Sequence, residues 1–530
     1  MPPNSTNALG VILELNYKSA LPIWLSMRVV HNATGRGDRR IHINSCCLGR
    51  LKFFTWHNKH ETNKRRYLDY WASYHEVLVG SKSLSRDLSQ VHEVAVDELY
   101  ITGKLAELSF IHPKVPLSLT LADIEDYTKR ISSANWLDQI NKHVARDQHS
   151  AFTPQDKVVV SDVSVLRCLD DLFERYTEPQ LVDHLSWQFV QLYAWVVDDI
   201  TEHPWSQELA PAYGNLKCCR EMEAIYRPLL AVIYARHHFT PQQLQVMTTS
   251  FSQLVDEAAN MFTASEWLDG QSKSVAVDKL RTMTVSLWPP EPFFDDRELA
   301  SMYGQFSANA MAGGSWVQEW VKAQEVMRSQ AGTPFHDITV NMRSMLFPIL
   351  AGYDYLLNNV EIAVSALARP LYYPRGSLAA FYGGLGFVFA LAMMKMQDAT
   401  GLKVMADHSL VGAGRWSWLS NNATSVYKEK VNCLRGTLVS LTDIAALEVV
   451  YALFSRSLQA TTSEVSLREA EKEKFFKTLC LHSCAISDRS LPTFHCKELL
   501  QHSHRFSEVF RCKSGSPMNP RHKCSYFART

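Results

Sequence analysis

The spacing of apolar residues constrains the fold most strongly, because they recur three and four positions apart through most of the segment 67–329. That spacing is the period of an α-helix with one buried face, so it predicts a mainly α protein. The pair Thr240 and Pro241 predicts a helix start, because proline in the first turn loses no hydrogen bond. The clearest amphipathic stretches are 166–176, 181–197, 221–237 and 243–261.

Short β elements are predicted near the N-terminus, where the apolar stretches 21–30 and 41–43 flank a polar, glycine-containing turn. The turn contains Arg36-Gly37-Asp38, a tripeptide of the kind that integrins bind. Glycine and aspartate are also what hairpin turns require. We therefore interpret the tripeptide as turn chemistry and rank an adhesive or structural protein third among the hypotheses.

The least charged part of the chain is the stretch 376–394, which contains no charged side chain. It is long enough to span a bilayer. However, its flanks lack topology signals, and Gly383, Gly384 and Gly386 are grouped together instead of being spaced for helix dimerisation. We expect a buried strand, turn and helix in preference to a membrane span.

The 530 residues suffice for two large halves, and the polar stretch 329–334 is the candidate boundary. We assign an N-terminal domain to residues 1–330 and a C-terminal domain to residues 345–530. Hydrophobic residues make up 46% of the chain, which excludes a disordered protein. The 54 basic and 54 acidic residues cancel, so we expect no nucleic-acid partner.

Cysteines and glycosylation sequons agree with an oxidising compartment. Asn4, Asn32 and Asn422 are candidate glycosylation sites. Residues 1–20 lack the basic start and apolar core of a signal peptide, so we expect that the true start is missing. The odd number of cysteines leaves at least one without an intramolecular partner. The eleven are Cys46, Cys47, Cys168, Cys218, Cys219, Cys433, Cys480, Cys484, Cys496, Cys512 and Cys524.

The C-terminal sequence indicates a family. The segment 506–527 begins Phe-Ser-Glu-Val-Phe-Arg-Cys and continues Lys-Ser-Gly-Ser-Pro-Met-Asn-Pro-Arg-His-Lys-Cys. It closely resembles the C-terminal signature of the neprilysin and endothelin-converting-enzyme family of zinc endopeptidases. The stretch 265–279 is similar to the family's Trp-(Met/Leu)-Asp-x-x-Thr-(Lys/Arg) helix, and 158–160 with 185–187 resembles another block. The resemblance covers about residues 21–527.

The resemblance implies two mostly helical lobes that enclose a central cavity, with small β elements near the N-terminus and before the active-site helix. It implies a zinc site whose two histidines and base glutamate come from one helix, written His-Glu-x-x-His, because a spacing of four puts both imidazoles on one face. A later helix supplies a glutamate as third ligand. It also implies an extracellular or plasma-membrane location, with anchorage only through a segment before this chain.

At the zinc helix the sequence departs from the family. The lead-in 382–386, Tyr-Gly-Gly-Leu-Gly, resembles the family's Tyr-Gly-Gly-Ile-Gly, so its three glycines are kept. Counting forward, the two histidine positions fall on Leu391 and Lys395, and the glutamate position falls on Ala392. Leucine and alanine have no ligand atom, and a lysine ammonium repels a dication. The resemblance therefore leaves this helix without zinc ligands.

The other family positions are mostly changed as well. The third-ligand glutamate falls on Val439, although Asp443 matches the aspartate that orients a zinc-bound histidine. The transition-state histidine falls on Arg489, the substrate-binding arginine on His495 and the substrate-binding asparagine on Leu350. We interpret the chain as a degenerate peptidase fold without zinc. Refilling of a lost polar site and relaxed selection both explain the changes.

The resemblance also implies one disulfide, between Cys433 and Cys524. Other cysteines match family cysteines whose partners lie in an N-terminal stretch that this chain lacks, which supports the missing start. They are Cys484, Cys512 and one of the pair Cys218 and Cys219.

Five cysteines have no family counterpart, so their pairing stays open. Two of them suggest a less favoured alternative, a zinc knuckle, because cysteine and histidine are the usual structural zinc ligands. The knuckle would use Cys480, Cys484, Cys496, His502 and His504. The five cysteines are Cys46, Cys47, Cys168, Cys480 and Cys496.

The first functional hypothesis is a neprilysin-like pseudo-peptidase, inactive, that binds peptides or a protein partner in the cavity between its lobes. The alternative is an active zinc metalloendopeptidase that cleaves short peptides through a non-standard site. The two differ in whether the protein retains zinc, because metal-assisted hydrolysis requires a bound Lewis acid.

Overall fold

Across the described residues the chain is mainly helical with two small sheets, which confirms the predicted fold class. The predicted helices at 166–176, 221–237 and 243–261 all form, although the one at 221–237 begins earlier, at Ala210. The described part of 181–197 lies in the helix Glu178–Tyr193. The structure is a computed structural model that describes residues 7–31, 39–45, 88–108, 114–145, 151–193, 210–308, 315–342, 350–407, 409–412, 415–485 and 495–528.

The chain divides into two compact units, and the second contains a stretch from each predicted domain. The predicted domains 1–330 and 345–530 therefore do not coincide with the units. The reason is packing: Phe251, from Tyr226–Leu299, stacks on Phe389 with ring centroids 4.5 Å apart. The first unit is Met1–Ile225 with Ala300–Asn341, and the second is Tyr226–Leu299 with Met342–Thr530.

The first unit contains a four-stranded sheet. Strands β1 (Leu25–His31) and β2 (Arg39–Ser45) form the antiparallel hairpin that the sequence predicts. Strands β3 (Leu117–Thr120) and β4 (Lys157–Val160) complete the order β1-β2-β4-β3, with β2 parallel to β4. Three successive residues at the centre of β2 are buried, and Ile41 is fully enclosed. The sheet therefore belongs to the core of this unit.

Helices form the rest of the first unit. The helix Ala8–Leu13 is capped by Asn7, whose side chain accepts a hydrogen bond from the Gly10 N–H at 2.9 Å. It packs against the helices Ser133–His143 and Glu178–Tyr193. The others are Glu14–Lys18 (a π-helix), Leu88–Glu107, Ile124–Asp126 (a 3₁₀ turn), Val163–Arg175, Asp296–Ala308, Trp316–Ser329 and Pro334–Asn341. Of these, Asp296–Ala308 begins in the second unit.

The helix Ala210–His238 crosses the division between the units. Its backbone is not helical at Tyr226, and Pro228 follows two residues later. Proline cannot donate the helical hydrogen bond, so a kink at this place has an identifiable cause. The helix ends at the pair His237 and His238.

The second unit has a small three-stranded sheet. Strands β5 (Thr284–Ser286), β6 (Ala351–Asp354) and β7 (Asn359–Ile362) lie in the order β5-β7-β6, with β5 parallel to β7. The sheet precedes the helical segment that contains Gly383, Gly384 and Gly386, where the resemblance implies a small β element.

The second unit is otherwise helical. Its helix Pro241–Ala264 begins with a capping box between Thr240 and Gln243, which confirms the predicted start. The other helices are Gly270–Arg281, Leu378–Phe381, Tyr382–Gly386 (a π-helix), Phe387–Met394, Asn421–Cys433, Leu441–Thr461, Val465–Ala485, Cys496–Gln501 and His504–Val509, with 3₁₀ turns at Glu291–Phe294, Val364–Leu367, Lys395–Gln397 and Gly401–Lys403.

The prediction of a strand in the uncharged stretch 376–394 is wrong. The stretch contains no strand, because helix begins at Leu378 and continues through a π-helical turn to Met394. Within the described part of the chain, Leu378–Gln397 is the single helix long and apolar enough to cross a membrane, and 78% of its most apolar window is buried. Here its apolar side chains pack in the core of the second unit.

The C-terminal residues are tied to the second unit by two buried or half-buried charges. The Glu448 carboxylate accepts from the Ser525 hydroxyl at 2.6 Å and from the Phe527 backbone N–H at 3.1 Å. The Lys430 ammonium donates to the Ser525 carbonyl at 3.0 Å. Between these contacts, Tyr526 is almost fully enclosed.

Candidate functional site

The helical segment that begins at Leu378 is positioned by close backbone contacts at two glycines. A Cβ on Gly384 would lie 2.3 Å from the carbonyl oxygen of Leu371, and one on Gly383 would lie 2.5 Å from that of Phe475. Real side chains do not approach so closely, so only glycine fits either position without backbone movement. Packing alone therefore explains why these two glycines are present.

The helix Phe387–Met394 carries the positions that the resemblance assigns to zinc. Ala392 is buried in the core, and Leu391 is half-buried against the same core. Lys395 follows at the helix end and is exposed. Leu391 and Lys395 are four residues apart and so share a helix face, but neither side chain offers an electron pair to a cation at neutral pH.

Asp443 lies at the start of the helix Leu441–Thr461. Ser440 and Asp443 form a capping box, in which the carboxylate accepts from the Ser440 backbone N–H at 2.8 Å and from its hydroxyl at 2.7 Å. Burial raises the pKa of Asp443, whereas the Ser440 hydrogen bonds and the charges of Lys395 and His495 lower it. The structure therefore brings Lys395, Asp443 and His495 within electrostatic reach of one another.

This arrangement places a cation, a carboxylate and an imidazole together without a set of metal ligands. Val439, at the third-ligand position, is a buried apolar residue just before the Leu441–Thr461 helix. Zinc sites need three or four nitrogen, sulfur or carboxylate donors around one point. The residues present at these positions do not fit zinc.

Within the described residues, one group of three ligand-type side chains lies close together: Cys433, His522 and Cys524. The two cysteines are joined in a disulfide, with Cα atoms 5.9 Å apart, which confirms the bond that the resemblance implies. Disulfide sulfurs are not thiolates, so they do not serve as zinc ligands. This group is therefore a cross-link and not a metal centre.

A second disulfide joins Cys480 and Cys496. This bond overturns the zinc-knuckle alternative, because the knuckle would need both cysteines as free thiolate ligands. Sequence reasoning missed this pairing, since neither residue has a family counterpart. Free thiols among the described residues are Cys168, Cys218, Cys219 and Cys512.

Several predicted residues fall in other places. Asn422 is exposed near the start of the helix Asn421–Cys433, where a glycan would meet solvent. Leu350 precedes β6 and is half-buried. Those outside the described residues are Asn4, Asn32, Arg36, Gly37, Asp38, Cys46, Cys47, Arg489 and the side chain of Cys484.

Lys279 is a residue of this region that sequence reasoning did not single out. It belongs to the helix Gly270–Arg281 and is fully buried. Its ammonium donates to three backbone carbonyls: Met396 at 3.0 Å, Gly401 at 2.8 Å and Val404 at 2.8 Å. All three carbonyls follow the Phe387–Met394 helix, so Lys279 holds the chain where that helix ends.

Burial lowers the pKa of Lys279 to about 7, although the nearby Asp398 charge acts in the opposite direction. Asp398 itself accepts from the backbone N–H groups of Thr400 at 2.9 Å and Gly401 at 2.8 Å. The sequence carried one signal for this burial: Lys279 lies three residues after Ala276 and next to Leu280, both in the core.

Comparison with known proteins agrees with the resemblance. The chain is 18% identical to neprilysin-11 of Caenorhabditis elegans, over 93% of this chain and 61% of that protein. It is 21% identical to human endothelin-converting enzyme 1, over 94% of this chain and 69% of that protein. The chain thus spans about two thirds of the length of these relatives.

The fold also matches solved structures. The Haemonchus galactose-containing glycoprotein complex superposes with a TM-score of 0.68 at 14% identity, over 99% of this chain and 84% of that chain. The family model of peptidase family M13, in its N-terminal part, matches residues 8–290. That match covers more than half of the sequence. The chain is therefore a member of peptidase family M13.

Proposed function

We propose that this protein is an M13 pseudo-peptidase, which binds a peptide or protein partner without cleaving it. The observation that carries the proposal is the set of side chains at the zinc-helix positions: Leu391, Ala392 and Lys395. Metal-assisted hydrolysis needs a Lewis acid and a base that activates water. Neither is supplied by an alkyl side chain or by an ammonium.

The third-ligand position supports the same conclusion. Val439 has no donor atom and is only 7% exposed, so it does not ligate a cation. Lys395 also places a positive charge within electrostatic reach of Asp443, at a position where the family would place a zinc-bound histidine. We propose that zinc is not a cofactor of this chain.

The scaffold around these positions is kept, which favours a binding role over simple loss of function. Lys279 and the glycines Gly383 and Gly384 hold the helical segment by contacts that leave little freedom. A protein that keeps its fold can still bind a partner through its surface after the catalytic residues have been lost, because fold and function are separate properties.

We propose an extracellular location. The disulfides Cys433–Cys524 and Cys480–Cys496 persist in oxidising compartments and are rare in the cytosol. The exposed sequon at Asn422 agrees. The balanced net charge gives no reason for a nucleic-acid partner.

The test is zinc content together with proteolysis. Purified protein is washed with a chelator, incubated with one equivalent of zinc, desalted and analysed by inductively coupled plasma mass spectrometry. A peptide library is then incubated with the zinc-treated protein, with an active zinc endopeptidase as the positive control. We expect almost no retained zinc and no cleavage. One equivalent of zinc with chelator-sensitive cleavage would establish an active metallopeptidase instead.

A variant with Leu391→His, Ala392→Glu, Lys395→His and Val439→Glu is the matched control. It restores all four donor and base groups on the same scaffold. Increased zinc retention by this variant would show that the ligands were the missing element.

A further inference from the structure

A cavity of about 540 Å³ opens on the second unit, near the start of the helical segment that carries the glycines. Its walls come from the stretch 369–380 and from the helix Val465–Ala485. Volumes of this order are typical of ligand sites. The cavity therefore has room for part of a peptide.

Three cations line this cavity and no carboxylate does: Arg369, Arg375 and Lys474. Neither arginine forms an ion pair with any described residue, and the Arg369 guanidinium lies 5.4 Å from the centre of the Tyr373 ring. Lys474 has a single exposed pairing, to Glu471 at 3.5 Å. Exposed pairs of this kind contribute about 0–1 kcal/mol, so the lysine remains available to a ligand.

The lining between the cations is partly apolar. Tyr373, Pro374, Ala380 and Leu481 form this part, and Thr478 adds a hydroxyl. A site whose lining combines apolar groups with three cations fits a ligand that carries an apolar group flanked by negative charges. Arginine also binds carboxylates through two parallel hydrogen bonds, which gives orientation as well as attraction.

We propose that this cavity binds an acidic peptide segment, in which carboxylates flank an aromatic or large aliphatic side chain. The proposal rests on the binding role proposed above and gives its ligand class and location. A sulfated polysaccharide fits less well, because it needs an extended basic surface, whereas the lysines and glutamates of this helix pair with one another.

The test uses fluorescence anisotropy with a fluorescein-labelled peptide, Gly-Asp-Glu-Phe-Glu-Asp-Gly, and its Asn/Gln analogue. We expect the acidic peptide to bind at least tenfold more tightly than the analogue, and added salt to weaken it. The double variant Arg369→Gln, Arg375→Gln should lose at least tenfold in affinity. The control variant Arg505→Gln, Lys477→Gln removes an exposed arginine and an exposed lysine from the same unit. It should change affinity less than twofold.

Three results would overturn the proposal. They are absence of binding by the full chain, equal affinity in the Arg369→Gln, Arg375→Gln variant, and tighter arginine-dependent binding of a heparin fragment than of the peptide. Mass spectrometry of the bound peptide separates this proposal from the previous one. Cleavage with intact arginine-dependent binding refutes the pseudo-peptidase alone, whereas absent binding without cleavage refutes the acidic-peptide site alone.

Discussion

Lys279 and Lys395 lie at the same end of the helix Phe387–Met394, but Lys279 is buried and Lys395 is exposed to solvent. The Lys279 ammonium is fully buried and donates to three backbone carbonyls. Lys395 is exposed and acts on its surroundings through its charge on Asp443. The first lysine supports the fold, whereas the second occupies a position where the family resemblance expects a metal ligand.

The difference shows which positions of this helical segment are constrained by packing. Gly383, Gly384 and Lys279 contact backbone atoms that cannot move away easily, so substitution there should disturb the fold. Leu391 is half-buried and Lys395 is exposed, so substitution there should disturb the fold less. Their change in evolution is compatible with an intact structure, and the following experiments test that separation.

The largest effect is expected for Lys279→Met. The variant removes the donor for three buried carbonyls, and each unsatisfied buried group costs about 1–3 kcal/mol. Since some carbonyls keep other partners, we expect a total loss of about 3 kcal/mol in the free energy of unfolding. Urea unfolding at pH 8 measures it. A loss equal to that of Lys395→Met would refute the distinction between the two lysines.

A somewhat smaller loss is expected for Gly384→Ala. The new methyl group would meet the Leu371 carbonyl at 2.3 Å, so backbone must shift. Overpacking of this kind costs about 1–3 kcal/mol. Gly304→Ala is the control, because its Cβ would meet nothing within 4 Å and alanine favours its helix. Thermal unfolding should separate the two, and equal melting temperatures would contradict the packing argument.

The effect of Lys279→Met should also depend on pH. The pKa of Lys279 is lowered from 10.5 to about 7 in the folded protein, so between these values the unfolded chain binds more protons. Stability of the wild type therefore rises with pH in this window and is lower below it. The difference between wild type and variant should grow by about 1 kcal/mol per pH unit above pH 7. Urea titrations at pH 7, 8 and 9 measure it, and a constant difference would count against a buried amine that titrates.

The smallest effect is expected for Lys395→Met. Stability at pH 7 should change by less than about 0.5 kcal/mol, as is usual for surface substitutions. Loss of the positive charge should raise the pKa of Asp443 further, because Lys395 lowers it in the wild type. Carbon-detected NMR of the Asp443 carboxyl measures that shift. An unchanged pKa would mean that the two side chains do not interact in solution.

Periodicity predicted most of the helices and the β1–β2 hairpin, because a single buried face leaves a readable pattern. It failed at 376–394, where an uncharged stretch is apolar on all sides and strand cannot be told from buried helix. The helical outcome depends on glycine contacts with Leu371 and Phe475, which are distant in sequence.

The candidate site was predicted in part. The resemblance led to Asp443, to the zinc-helix positions and to the Cys433–Cys524 bond. The pairing of Cys480 with Cys496 could not be read from spacing, since several connectivities are open to any set of cysteines. The three carbonyls that bind Lys279 lie 117–125 positions away, so its place beside Ala276 and Leu280 indicated burial but not these partners.

The two disulfides form nested rings: Cys480–Cys496 closes a small loop inside the larger one closed by Cys433–Cys524. A single proteolytic nick between residues 433 and 524 therefore leaves both fragments covalently joined, and a nick between residues 480 and 496 leaves them joined twice. One cleavage in this stretch would release no fragment under oxidising conditions. On a gel it would become visible only after reduction.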